Sequence, residues 1–280
     1  MRASVLGIHG IGQHKKTASA LEESWLLAAQ RSMTLAGGPN SLTSLSVAFY
    51  GNLFNPSDGR LGHTQEEVAP LSPSEEQFIE EVLDSGTLQG VDEDESSARE
   101  LGLPAVPGKI GRLLVRIDRR FGRNAGKYLL YILRQVHRYL SDEDLSKAIR
   151  DVVADSMKSN TRFVLAHSLG SVIAYDMLQR GELFPAASIE ENRQCIVTFG
   201  SPLSWPTVLR MLGHGTEILN TNGLWHNIYD SADAVTGGQG LQVDNVQNVR
   251  VRNGLKDPHA AVQYLRQPVM GSLLTSHAGL

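Results

Sequence analysis

Residues 162–180 constrain this chain more than any other stretch. The short apolar run Arg162–Leu165 leads without a break into Ala166-His167-Ser168-Leu169-Gly170, and an amphipathic stretch to Arg180 follows. A serine between a buried strand and a helix, with a small residue two places to either side, predicts a turn too tight for larger neighbours. Ala166 stands where glycine is the usual first residue of such a string, and Gly170 is the second. The turn lifts the Ser168 hydroxyl above the carboxyl edge of a sheet. It also sets the hydroxyl beside a helix N-terminus, whose N–H groups favour a developing negative charge.

Such a turn predicts partners elsewhere in the chain. Near the N-terminus, the apolar strand Ser4–Ile8 runs into His9-Gly10-Ile11-Gly12-Gln13. Glycine at that bend lets the backbone approach a bound oxygen closely. Farther on, the strand-like Gly223–Tyr229 ends in Asp230-Ser231-Ala232-Asp233, which offers two carboxylates at a strand's carboxyl end. The short β-rich segment Val246–Val251 follows, then a loop carrying His259 just ahead of a helical stretch, Ala260–Arg266. Serine, acid and histidine in that chain order match one of the known triad arrangements. Asp233 is preferred for its reach and Asp230 is the alternative acid, its expected task being to hold the loop backbone. A lone serine in such a string is more often a helix cap. His277, in a glycine-containing tail, is expected to be solvated.

The wider pattern alternates strand and helix: Ser4–Ile11, Thr17–Ala36, Ser44–Tyr50, then Asp142–Lys158, Arg162–His167, Leu169–Arg180 and Gln194–Phe199. Repeated βα units predict an α/β fold with a mostly parallel sheet of about six strands covered by helices. The division expected is a core of residues 1–54 and 141–280, interrupted by a helical cap over residues 55–140. Within the cap, Ser74–Leu83 reads as a helix and Asp92–Glu95 as a solvated acidic loop. Gly108–Leu140 reads as helical and strongly basic. Residues 109–138 carry nine Lys/Arg against one acid, net +8, in a chain whose total is −4. Leu113, Leu114, Ile117, Phe121, Leu129, Leu130, Ile132 and Leu133 interleave with these charges, as on a helix that meets either a core or an anionic membrane surface.

Composition excludes several classes. With 41% hydrophobic and 20% charged residues the chain reads as a soluble globular protein. No apolar run approaches the ~20 residues of a membrane span. The single cysteine, Cys195, rules out an internal disulfide and suits a cytoplasmic setting, possible membrane association being peripheral. Neither a metal-ligand spacing nor a phosphate loop is present, and no nucleic-acid module is seen, so no cofactor, metal or nucleic acid is expected.

HGIGQ at residues 9–13 and AHSLGSVIAYDML at residues 166–178 resemble the lipase-like branch of the α/β-hydrolase superfamily, and among it serine esterases similar to the intracellular phospholipase A1 family. The resemblance covers the core strands and loops but not residues 55–140. It implies a serine esterase acting on an acyl ester or lipid, with Ser168 as nucleophile and His259 and Asp233 completing a triad. It also implies an oxyanion hole from the N–H groups of Ile11 and Leu169, Gly12 being the second choice for the first donor. His9, Gly10, Gly12, His167 and Ser201 are expected around the substrate. The rival expectation is a catalytically silent binding module on the same fold.

Overall fold

In the computed structural model, which describes residues 4–39, 41–54, 70–85, 106–184, 194–213 and 225–277, six strands form one all-parallel sheet. They are β1 (Ser4–Ile8), β2 (Ser46–Ala48), β3 (Thr161–His167), β4 (Cys195–Phe199), β5 (Trp225–Asp230) and β6 (Val246–Val251), in spatial order β2-β1-β3-β4-β5-β6. The chain steps outward from β1 in one direction to β2 and in the other to β3. Strand order therefore reverses between β1 and β3, and an open parallel sheet has its crevice at such a reversal, beyond the carboxyl ends.

Alternation along the strands builds two apolar layers. Val5, Phe163, Leu165, Val197 and Phe199 pack under α1 (Ala18–Leu35), α8 (Ala261–Leu265) and α9 (Pro268–His277). Leu6, Ile8, Val164, Ala166 and Ile196 face the opposite layer, which contains α3 (Gly108–Phe121), α4 (Ala125–Ser141), α5 (Glu143–Ser156) and α6 (Leu169–Gln179). Burial on both faces explains why the central strands read as unbroken apolar runs. The edge strand β6 instead exposes Gln247, Asn248 and Arg250, which blunts an otherwise unpaired edge. Helix starts follow their caps. Thr17 accepts from the Ala20 N–H at the head of α1, and Asp142 from the Leu145 N–H at the head of α5.

The basic region is a pair of helices. Gly122 and Asn124, both at positive φ, break it between α3 and α4. Asp118 closes the corner by accepting from the Asn124 and Gly126 N–H groups. A Cβ on Gly126 would overlap the Leu114 carbonyl, so glycine permits the helices to cross closely. Ile110, Leu113, Leu114, Ile117, Leu129, Leu130, Ile132 and Leu133 are all buried in the same cluster as Leu6 and Val164, together with Phe78 and Val82 of α2 (Pro73–Ser85). The apolar stripe that could have met a membrane is thus turned into the protein, while Arg112, Arg119, Arg120 and Arg123 stay outward. The acidic run 92–95 lies outside the described residues.

Two helices were not expected from the sequence: α7 (Pro206–Met211) and α9. The tail around His277 is helical because Met270, Leu273 and Leu274 dock on α1, where a Cβ on Gly271 would overlap the Ser32 carbonyl. β2 is also shorter than the expected Ser44–Tyr50.

A buried polar hub ties the basic helices to the half that carries Ser168. Asp176 of α6 accepts from the Tyr139 hydroxyl (2.7 Å), from Arg150 Nη1 (3.1 Å) and from Arg180 Nε (2.8 Å). Asp176 and Arg150 are both buried, and a buried charge left without its partner costs several kcal/mol. Replacing Asp176 by alanine should lower unfolding free energy by about 3–5 kcal/mol. Removing the exposed Lys147–Asp151 pair should change it by roughly 0.5 kcal/mol or less. Urea unfolding of the two variants checks the contrast.

Candidate active site

Ser168 sits at the junction of β3 and α6 with φ 53° and ψ −125°, a backbone that non-glycine residues rarely adopt. Its surroundings show why the turn is held there. A Cβ on Gly170 would overlap the Ile8 carbonyl, so the first turn of α6 lies directly on the end of β1. A Cβ on Gly10 would come 2.8 Å from the Ser168 Cβ. The Ser168 N–H donates to the Phe199 carbonyl (3.1 Å), and its own carbonyl accepts from the Ser171 hydroxyl (2.5 Å). The strained residue is therefore braced by the next strand and the next helical turn.

The Ser168 hydroxyl lies 3.0 Å from His259 Nε2, and His259 Nδ1 lies 2.8 Å from Asp233 Oδ2. A carboxylate only accepts, so the ring proton sits on Nδ1 and Nε2 is left to accept from Ser168. Asp233 and His259 are both buried. Asp233 heads a single helical turn at residues 234–236, where its Oδ1 accepts from the Val235 N–H. Asp230 has a different task. Its oxygens accept from the Ala232 N–H (2.9 Å) and the Asn253 N–H (2.5 Å), which joins the acid loop to the histidine loop. Asn253 continues the link by donating from its side chain to the Pro258 carbonyl. Of the two candidate acids, Asp233 is the one that reaches His259.

The loop after β1 is tied down by its carbonyls. Tyr50 Oη donates to the His9 carbonyl, His9 Nδ1 to the Gly10 carbonyl (2.5 Å) and Gln13 Nε2 to the Ile11 carbonyl (3.0 Å). With three consecutive carbonyls held by side chains, the loop has a set shape before any ligand arrives. His9 Nε2 accepts from the Tyr50 N–H, so the His9 proton is on Nδ1. Burial lowers its pKa to about 4, aided by the charge of Lys16, and the ring remains neutral. Across the site, the N–H of Leu169 is in the first turn of α6 and has no carbonyl one turn back within the helix.

His167 points under His259. Its Nε2 donates to the His259 carbonyl (2.8 Å), and burial together with neighbouring His259 holds its pKa well below the ordinary value. It stays neutral and orients the loop. Two residues expected around the substrate lie elsewhere. Ser201 is buried behind the turn, where its Oγ meets Ser171 Oγ (2.7 Å) and accepts from the Leu203 N–H. It caps a helical turn, as its place before Pro202 allows. Gly12 is exposed at φ 76°, where an added Cβ would meet open space, and serves the bend itself.

A cleft of about 210 Å³ opens in front of Ser168, bounded by His9, Gly10, Ile11, His167 and His259. Part of its wall was not foreseen. Trp25 and Leu21 come from α1, Gln13 and Lys16 from the loop before it, and Tyr128 from α4. The Tyr128 ring stands edge-on to His259, 5.5 Å between centroids. Gln13 lies within the HGIGQ string and so had a sequence signal. Tyr128 had none, because only folding brings α4 over the histidine. Among the described residues no group of His, Cys, Asp or Glu is placed to hold a metal, and no helix is long and apolar enough to cross a membrane. Comparison with known protein families, curated proteins and solved structures gives no match.

Neutral, buried His9 makes a prediction for acid stability. As pH falls below 6.5 the unfolded chain takes up a proton that the folded ring refuses until about pH 4, so stability is full above that window and lost within it. Each pH unit of separation is worth about 1.4 kcal/mol. Between pH 7 and 4 wild type should therefore lose ~3 kcal/mol more than His9→Phe, measured by urea unfolding at both pH values.

Proposed function

We propose that the protein is a serine hydrolase of the α/β-hydrolase type that cleaves carboxylic esters through an acyl-enzyme. The observation that carries this reading is the unbroken chain Ser168 Oγ, His259 Nε2, His259 Nδ1, Asp233 Oδ2, anchored on a strained turn beside a glycine loop. In this reading Ser168 Oγ attacks the acyl carbonyl carbon while its proton passes to His259 Nε2. Asp233 keeps the imidazole in the required tautomer and balances the imidazolium. The carbonyl oxygen becomes an oxyanion, met by the N–H groups of Leu169 and Ile11. His259 then gives its proton to the departing alkoxide as the C–O bond breaks. Water, deprotonated by the same nitrogen, attacks the acyl carbon and releases the acid with Ser168 restored.

An acyl ester, lipid esters included, is the substrate class proposed. The described cleft is smaller than the 300–1,000 Å³ of a typical ligand pocket, so its walls fit the reacting ester and adjoining groups, not a whole lipid chain. Any anionic lipid surface would be met by the outward arginines of α3 through charge, since the apolar faces of α3 and α4 are buried. That contact would weaken as salt is raised.

A fluorophosphonate probe should label wild type and fail to label Ser168→Ala. Hydrolysis of a short-chain nitrophenyl ester should fall by roughly 10⁴–10⁶ in kcat in the same variant. Folded wild type that takes no label, with or without lipid vesicles, would sink the esterase reading and favour a silent binding module.

A further inference from the structure

Asp233 has a second side-chain donor that the triad reading leaves without a role. Tyr264 of α8 is fully buried, and its hydroxyl lies 2.8 Å from Asp233 Oδ2, the same oxygen that receives His259 Nδ1. The same hydroxyl oxygen accepts from the Asp230 N–H at 3.1 Å. An amide N–H can only donate, so the phenol proton is directed to Asp233.

We infer that Tyr264 is a positioning residue that sets how tightly the Asp233–His259 pair holds a proton. This rests on the triad reading above. The neighbours leave Tyr264 as the side chain suited to the task. Asp230 spends its oxygens on Ala232 and Asn253. His167 is neutral and bonded to the His259 carbonyl, Tyr128 offers His259 a ring edge, and Asp257 lies on the cleft wall. Apart from His259 and Tyr264, Asp233 receives the Val235 N–H on its other oxygen. Burial and the Asp233 charge hold the Tyr264 phenol well above its ordinary pKa, so it remains a donor wherever the triad would work.

Deleting that donor has one sign. With the phenol gone, negative charge on Asp233 is less well stabilised, and the state in which the pair carries no added proton suffers most. The pair then binds a proton more tightly whether it rests on the imidazole or on the carboxylate. A hydrogen bond to a charged group is strong enough to move the apparent pKa by about one unit.

The test compares wild type with Tyr264→Phe by two readouts. One is the pH dependence of fluorophosphonate labelling, and the other is an NMR titration of the ¹⁵N-labelled His259 ring, which needs no activity. The acid limb and the ring pKa should both rise by about one unit. A folded Tyr264→Phe variant whose ring pKa is unchanged or lower overturns the inference, because a merely structural tyrosine would alter stability alone. If wild type takes no label while the NMR shift appears, the esterase reading fails and the coupling stands. Should Tyr264→Phe not fold, 3-fluorotyrosine placed at position 264 keeps the shape and donates more strongly. It should lower the ring pKa, and a rise or no change would refute the coupling.

Discussion

The close approach of the first turn of α6 to the carboxyl end of β1 is the contact on which the site depends. Gly170 lies against the Ile8 carbonyl, and Gly10 against Ser168 itself. Neither position has room for a side chain. That approach sets the end of β3 against the loop after β1, at the point where strand order reverses. It also imposes a cost of order 1–3 kcal/mol on the Ser168 backbone, which hydrogen bonds to Phe199 and Ser171 help to hold in place. A looser packing of α6 on β1 would relieve the turn and move the hydroxyl away from His259.

Around that contact the polar groups divide their work. His259 faces Ser168 and Asp233 holds His259, while Asp230, Asn253 and His167 hold the loops that present them. Tyr50, His9 and Gln13 do the same for the loop after β1, one carbonyl each. Buried polar atoms of this kind are costly unless satisfied, and once satisfied they restrict a loop to one shape. Two histidines here, His9 and His167, are held neutral by burial, and His167 lies against the ring that faces Ser168.

The basic helices are part of the same body in a physical sense. Their apolar faces share a cluster with the sheet, and Asp176 fastens Tyr139 of α4 to the helix that follows Ser168. α4 thereby brings Tyr128 against His259. The aspartate of the AYD string owes its place to this hub.

Much of the architecture was legible in the chain. Doubly buried strands read as apolar runs, a helix-period stretch followed β1 and β3, and Val246–Val251 was bounded correctly as β6. Helices α7 and α9 escaped because a short proline-led turn and a glycine-bearing tail carry weak local signals, and their order comes from docking. Local sequence also specified the small residues at 166 and 170, since sterics at a tight turn act over two or three positions. Which of two aspartates reaches His259 was not local. Asp230 and Asp233 differ by one turn of loop, and the choice is made by Asn253, His259 and Tyr264 arriving from more than twenty residues away. Likewise Tyr128 and Ser201 have their surroundings set by helices and strands distant in sequence. Sequence by itself determined the strands, the strained turn and the order of the polar residues along the chain, because these follow from short-range sterics and burial. Tertiary structure alone decided which polar atoms meet, because a hydrogen bond needs its partner within about 3 Å.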